Sequence, residues 1–222
     1  MIIVFDLDDT LYDEVTFVKS GLKAVSDYLY IKYSISKTES MNFFNNELSK
    51  GREKILDKIL KEYDIFSKNE VKKCLSIYRS HNPKIQLYPQ AKRILQEFNR
   101  NSIYILTDGN KMVQKKKIFA LGIQKKVKKF ILTSNYGIKN SKPSPYCFMK
   151  ICEIENIKPS ELIYIGDNPN KDFVGIKPFE FKTIRILSGR YKNIKKNKKF
   201  EADITLNSLK ELTKKLIINI MK

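Results

Sequence analysis

Ile2-Ile3-Val4-Phe5-Asp6-Leu7-Asp8-Asp9-Thr10 is the stretch that decides how this chain folds. Its first four residues form an unbroken β-branched and aromatic run, the pattern of a strand buried on both faces. Asp6, Asp8 and Asp9 crowd the strand's carboxyl end, and like charges a few Å apart resist joint ionisation. A divalent cation relieves that repulsion, and a hard, oxygen-liganded ion such as magnesium suits the cluster. One carboxylate can then attack an electrophile while its neighbour two residues on moves the proton. Taken alone, the same stretch also reads as a solvated acidic turn or a helix cap.

Three later segments separate these readings. Ser102-Ile103-Tyr104-Ile105-Leu106-Thr107-Asp108-Gly109-Asn110 is a second buried-strand pattern, ending in a hydroxyl and a glycine turn. Ser141-Lys142-Pro143-Ser144-Pro145 sets a lysine before a helix start, with Ser144 as N-cap and Pro145 at the first helical position. Leu162-Ile163-Tyr164-Ile165-Gly166-Asp167 is a third apolar strand, followed by a further carboxylate at Asp172. Open α/β sheets bind ligands at the carboxyl ends of their strands, so these carboxylates, one hydroxyl and one lysine meet in one crevice.

On these motifs, which follow one another in order, the chain resembles the haloacid dehalogenase-like superfamily, mostly phosphatases. The resemblance runs from Met1 to about Leu187, with a weak tail match at Ala202-Asp203-Ile204-Thr205. It implies a doubly wound parallel sheet, a Rossmann-like α/β core, carrying an inserted α-helical cap of C1 type. It implies Asp6 as the nucleophile forming an aspartyl-phosphate, and Asp8 as the group that protonates the leaving oxygen and then activates water. Thr107 and Lys142 bind phosphoryl oxygens, and Asp167 ligates magnesium with Asp6 and the backbone carbonyl of Asp8. Asp172 holds a metal-bound water or orients Lys142. Asp8 argues against true dehalogenase activity, and Asp9-Thr10 against a mutase of the β-phosphoglucomutase kind. Asp108 is read either as a substrate-binding residue or, like Asp9 and Asp13, as a solvated turn residue.

Residues 1–11 and 85–222 are expected to form the core, and 12–84 the helical cap. Val15, Val18, Leu22, Val25 and Leu29 follow a three-four spacing, repeated by Phe44 and Leu48, by Ile55 to Leu60, and by Val71, Leu75 and Tyr78. Substrate choice is expected mainly in this cap. In Ser49-Lys50-Gly51-Arg52, Arg52 either grips a second anionic group or belongs to an ordinary helix connection. Glu14, Phe17 and Asn110 are further residues that can reach substrate, whereas His81 reads as structural. In the core, the pattern predicts a helix over Lys111–Leu121 ending at Gly122, and a strand at Phe130–Leu132. A helix over Tyr146–Glu155 and a strand at Thr183–Ile186 follow. Asn207 is read as the cap of the last helix, and Lys192–Lys199 as a mobile basic loop.

The composition bounds the rest. No apolar run approaches the roughly 18 residues that cross a bilayer, so no membrane partner is expected. The start of the chain lacks a leader-like pattern, and Cys74, Cys147 and Cys152 form no metal-type pair. Both point to a cytoplasmic protein, monomeric or homodimeric. The net charge of +19 carries a rival reading. Lys115-Lys116-Lys117, Lys125-Lys126, Lys128-Lys129 and Lys195-Lys196 can form the footprint of a nucleic-acid-binding protein, or of a phosphatase acting on nucleic-acid ends. These clusters lack interleaved aromatics, so the leading expectation is a magnesium-dependent phosphatase of a small phosphorylated metabolite. A sugar phosphate or sugar-linked phosphoester is favoured, with nucleic acid the lesser partner.

Overall fold

In the computed structural model, which describes residues 1–221, the chain divides into two compact units. One comprises Met1–Glu14 and Ile85–Lys222, the other Val15–Lys84. The helical unit thus begins at Val15 rather than at residue 12. Tyr12 is fully buried with its hydroxyl bonded to Asp8, and the Glu14 N–H donates to Asp9 at 2.9 Å, so residues 12–14 stay with the first strand.

The larger unit is built on a six-stranded parallel sheet. The strands are β1 (Ile2–Phe5), β2 (Ile103–Thr107), β3 (Lys129–Leu132), β4 (Leu162–Gly166), β5 (Lys182–Ile186) and β6 (Ile204–Leu206). Their order is β3-β2-β1-β4-β5-β6, with Ile3 opposite both Ile103 and Ile163. The chain moves outward from β1 through β2 to β3, then crosses back to β4 and on to β6. This order reverses direction between β1 and β4, the point at which doubly wound sheets hold ligands. β1, β2 and β4 are buried along their whole length, which is why they read as continuous apolar runs.

The helices of this unit are α5 (Pro89–Glu97), α6 (Lys111–Ala120), α7 (Tyr146–Glu155) and α8 (Lys214–Ile220). Val4, Leu106, Ile131 and Tyr164 pack with Phe148 and Ile151 of α7 and with Phe173 and Phe181 in one core. Phe148 stands edge-on to Tyr164 at 4.8 Å, fixing the ring whose hydroxyl meets Lys142 and Asp172. Cys147 and Cys152 are buried packing residues, and burial pushes both thiols up to about 11.

The smaller unit holds α1 (Glu14–Tyr33, whose first residue belongs to the sheet unit), α2 (Lys37–Lys50), α3 (Ile55–Glu62) and α4 (Lys68–Ser80). Ser36 and Ser67 open α2 and α4 by accepting from the N–H three residues on. Val18, Leu22, Val25 and Leu29 of α1 meet Phe44, Ile59, Leu60 and Cys74 in a second core. Val15, expected on that stripe, is exposed. His81 stacks on Phe17 at 4.9 Å and bonds the Tyr78 carbonyl, a packing role.

Two caps differ from expectation. α7 starts at Tyr146 with Pro145 as its N-cap residue, although the Ser144 hydroxyl still accepts from the Tyr146 N–H. The last helix is capped by Thr213, which accepts from Leu216, whereas Asn207 directly follows the short strand β6. Among the described residues no helix is long and apolar enough to cross a membrane.

Candidate active site

The carboxyl ends of β1, β2 and β4 open into a crevice of about 260 Å³. Asp6, Asp8 and Asp9 reach it from β1, Thr107 and Asp108 from β2, and Asp167 from β4, with Lys142 from the segment before α7. Parallel strands deliver these groups to one edge because all of them run the same way.

Lys142 is the hub. Its buried ammonium donates to Asp6 Oδ1 at 2.6 Å, to Asp172 Oδ1 at 2.7 Å and to the Tyr164 hydroxyl at 2.9 Å. Burial alone favours the neutral amine, but Asp172 and Asp6 outweigh it and hold Lys142 firmly protonated. Asp172 is fixed in turn by the Asn168 N–H at 2.8 Å and by the Tyr164 hydroxyl at 3.0 Å. A side chain at Gly166 would collide with the Asp172 carboxylate, so glycine at the end of β4 is a packing requirement. Asp172 contacts Lys142 directly, as the role of orienting it requires.

Asp8 lies in a second grip. Lys117 donates to both its oxygens, at 2.7 and 2.8 Å, Gln114 donates at 3.2 Å, and the Tyr12 hydroxyl completes the set. Gln114 and Lys117 lie three residues apart on α6, so one helix face presents both. Lys117 is buried and so is withdrawn from the basic footprint that Lys115-Lys116-Lys117 was expected to offer. Nothing in the sequence distinguishes it, since it is one lysine among many.

Asp108 lines the crevice and is half-buried rather than a solvated turn residue. Its Oδ1 accepts from the Thr133 hydroxyl at 2.7 Å and from the Lys142 N–H at 3.2 Å, tying the turn after β2 to the lysine segment. The Thr107 hydroxyl makes only a long 3.5 Å contact with the Asp108 carbonyl, so it can turn to an incoming oxygen. Asn110 and Arg52, the other residues expected to bind substrate, have local settings of their own. Asn110 is exposed and caps α6, accepting from the Met112 and Val113 N–H groups at 3.1 and 3.2 Å. An asparagine one residue before a helix is best satisfied in that way. Arg52 sits between α2 and α3 and lines an apolar cavity of the helical unit with Val18, Leu22 and Leu75.

The residues fit a divalent cation. Burial raises the Asp6 carboxyl to about 7, with Lys142 opposing and Asp172 and Asp8 adding to the rise. Burial, then Asp6 and Asp172, raise Asp167 to about 9. Asp167 accepts no hydrogen bond among the described residues, so its charge is unmet by the protein. Among those residues no three His, Cys, Asp or Glu side chains gather closely enough to hold a metal by themselves. The Asp8 carboxylate is spent on Lys117. A magnesium ion here would rest on Asp6, Asp167 and a backbone carbonyl such as that of Asp8, the remaining positions going to water or substrate oxygens.

The fold and the crevice define a Rossmann-like enzyme whose site is built on an aspartate and a lysine. A model of the haloacid dehalogenase-like hydrolases matches residues 3–186, and the chain belongs to that family. It is 31% identical over 220 residues to the glyceraldehyde 3-phosphate phosphatase of Methanocaldococcus jannaschii, covering 95% of this chain and 94% of that one. The enzyme of the same name from Pyrococcus furiosus is 26% identical, over 95% and 90%. The crystal structure of a HAD phosphatase from Thermococcus onnurineus superposes with a TM-score of 0.59 at 26% identity, covering 97% of each chain. With these relatives, the chain is a phosphatase.

Proposed function

We propose that this phosphatase hydrolyses a small phosphorylated metabolite with the help of magnesium, through an aspartyl-phosphate on Asp6. The observation that carries this reading is the Lys142 ammonium held between Asp6 and Asp172 on the crevice floor. It offsets charge where an anionic nucleophile must approach an anionic ester. Asp6 attacks phosphorus, and the bond from phosphorus to the ester oxygen breaks. Asp8, held as a carboxylate by Lys117 in this structure, takes up a proton as substrate enters and gives it to that oxygen. Asp8 then takes a proton from water as the water attacks the aspartyl-phosphate, releasing inorganic phosphate and restoring Asp6. Lys142 and the Thr107 hydroxyl hold the phosphoryl oxygens throughout, so phosphoryl transfer is governed by positioning and charge. Magnesium, when bound, supplies further positive charge between nucleophile and phosphate.

Sugar phosphates and sugar-linked phosphoesters are the favoured substrates, and the relatives named for glyceraldehyde 3-phosphate support a triose phosphate among them. The helical unit inserted after β1 takes the part of the cap that the family resemblance implies. The test is phosphate release across phosphorylated sugars, polyols and nucleotides, with and without magnesium. Release should require the metal and vanish in Asp6→Asn, whereas wild-type rates in that variant would remove Asp6 as nucleophile.

A further inference from the structure

Four cationic side chains line the crevice: Lys117, Lys142, Lys171 and Arg190. Three are matched to carboxylates. Lys142 serves Asp6 and Asp172, Lys117 serves Asp8, and Lys171 lies 3.6 Å from Asp108 Oδ2. Arg190 has no carboxylate within ion-pair distance among the described residues. Its guanidinium instead stacks on the Tyr191 ring at 4.7 Å.

The segment that carries Arg190 is held on both sides. Before it, the Ser188 hydroxyl bonds the Asp9 carbonyl, and Gly189, at φ +58°, sits so close to the Asp9 carboxylate that a Cβ would overlap it. After it, the fully buried Arg185 of β5 donates to the carbonyls of Tyr191 and Ile194, at 2.8 Å each. Arg185 is itself paired with Glu201 at 2.6 Å. The turn is thus fastened to the catalytic aspartate segment at one end and to the sheet at the other. The opening of the basic segment at Lys192 is therefore anchored, where the sequence suggested a mobile loop.

An unmatched guanidinium, pre-oriented on an aromatic ring at the mouth of a crevice that binds anionic esters, is fitted to a second anion. We infer that Arg190 selects substrates whose leaving group carries a second negative charge, a carboxylate or a further phosphate. Arginine pairs with either through two parallel hydrogen bonds. This inference rests on the phosphatase reading above and adds the substrate's chemical class. It also assigns specificity to a turn after β5, where the sequence pointed mainly to the helical insertion.

The experiment measures kcat/KM with magnesium for size-matched esters: phosphoglycolate against ethyl phosphate, and a triose bisphosphate against glyceraldehyde 3-phosphate. p-Nitrophenyl phosphate reports the reaction class. Wild type should prefer the doubly anionic member of a pair at least tenfold, through KM. Arg190→Ala should shrink that preference at least tenfold, and Arg190→Lys should keep part of it. If only the phosphoglycolate pair responds, the anion read is a carboxylate; if only the bisphosphate pair, a phosphate. Turnover with no preference in wild type, or a preference untouched in Arg190→Ala, overturns the inference while leaving the phosphatase reading in place. Silence of wild type on every substrate, p-nitrophenyl phosphate included, overturns both.

Discussion

Lys142 and Lys117 are chemically the same residue, yet only one could be read in the sequence. Lys142 directly precedes a proline-marked helix start, so its neighbours single it out. Lys117 lies in a run of three, and only the turn of α6 that buries it against Asp8 gives it meaning. Tyr12, bonded to Asp8, and Tyr164, bonded to Lys142 and Asp172, carry no mark of these roles in the sequence. Lys117→Met should lower kcat for alkyl phosphates about 10²-fold, the scale of a misplaced proton donor. Its effect on p-nitrophenyl phosphate, whose leaving group needs no proton, should be far smaller. Equal losses on both would mean a purely structural role. Acid titration gives a second test. Asp6 and Asp167 bind protons more tightly in the folded chain than the usual carboxylate value near 3.8, at about 7 and about 9. The folded state therefore holds more protons than the unfolded one across that window, and metal-free stability falls as pH rises from about 4 toward 9. Magnesium should raise Tm more at pH 8 than at pH 5.5, where protons compete for the same oxygens. Thermal unfolding with magnesium or with chelator checks this, and a larger shift at the lower pH would contradict it.

At the scale of elements, legibility followed burial. β1, β2 and β4 are covered on both faces, so their apolar runs carried the signal. β6 has three residues at the sheet edge, only one of them buried, too few to produce a period. Asn207 has the chemistry of a cap, but the chain runs on to Thr213 before a helix starts. α6 shows how one element can mislead and inform together. Asn110 was read as reaching substrate, whereas its side chain starts the helix that aims Gln114 and Lys117 at Asp8. Asn110→Ala should cost about 1 kcal/mol, the usual worth of an N-cap. For a chain of this length that lowers Tm by about 2–4 °C. Asn110→Asp should keep most of that stability. KM values should move little in either variant, and a large KM increase in Asn110→Ala would return the residue to the substrate.

At the scale of the whole molecule, the parallel, doubly wound sheet was legible because strands separated by helices leave it as the economical arrangement. The charge was less so. A net +19 fits both a nucleic-acid surface and a solvated one, and the fold removes only part of the ambiguity. Lys117 is withdrawn to Asp8, Lys128 is paired with Glu155 at 2.6 Å and Lys177 with Asp203 at 2.5 Å. Lys115, Lys125, Lys195 and Lys196 remain exposed. Scattered positive charge of this kind raises the local concentration of any small anion, and salt suppresses it once the screening length falls to about 8 Å near 0.15 M. Raising salt from about 20 to about 200 mM should therefore increase KM for a doubly anionic ester severalfold with kcat nearly constant. A nucleic-acid site releases many counterions at once, and its affinity drops by about 10³–10⁵ over a comparable range. Duplex and single-stranded DNA, followed by fluorescence anisotropy over the same salt series, should show only weak binding at 20 mM and none by 200 mM. Tight binding with a steep slope that persists at 200 mM would mean that the lysines form a nucleic-acid surface, and the substrate would then be sought among phosphorylated nucleic-acid ends.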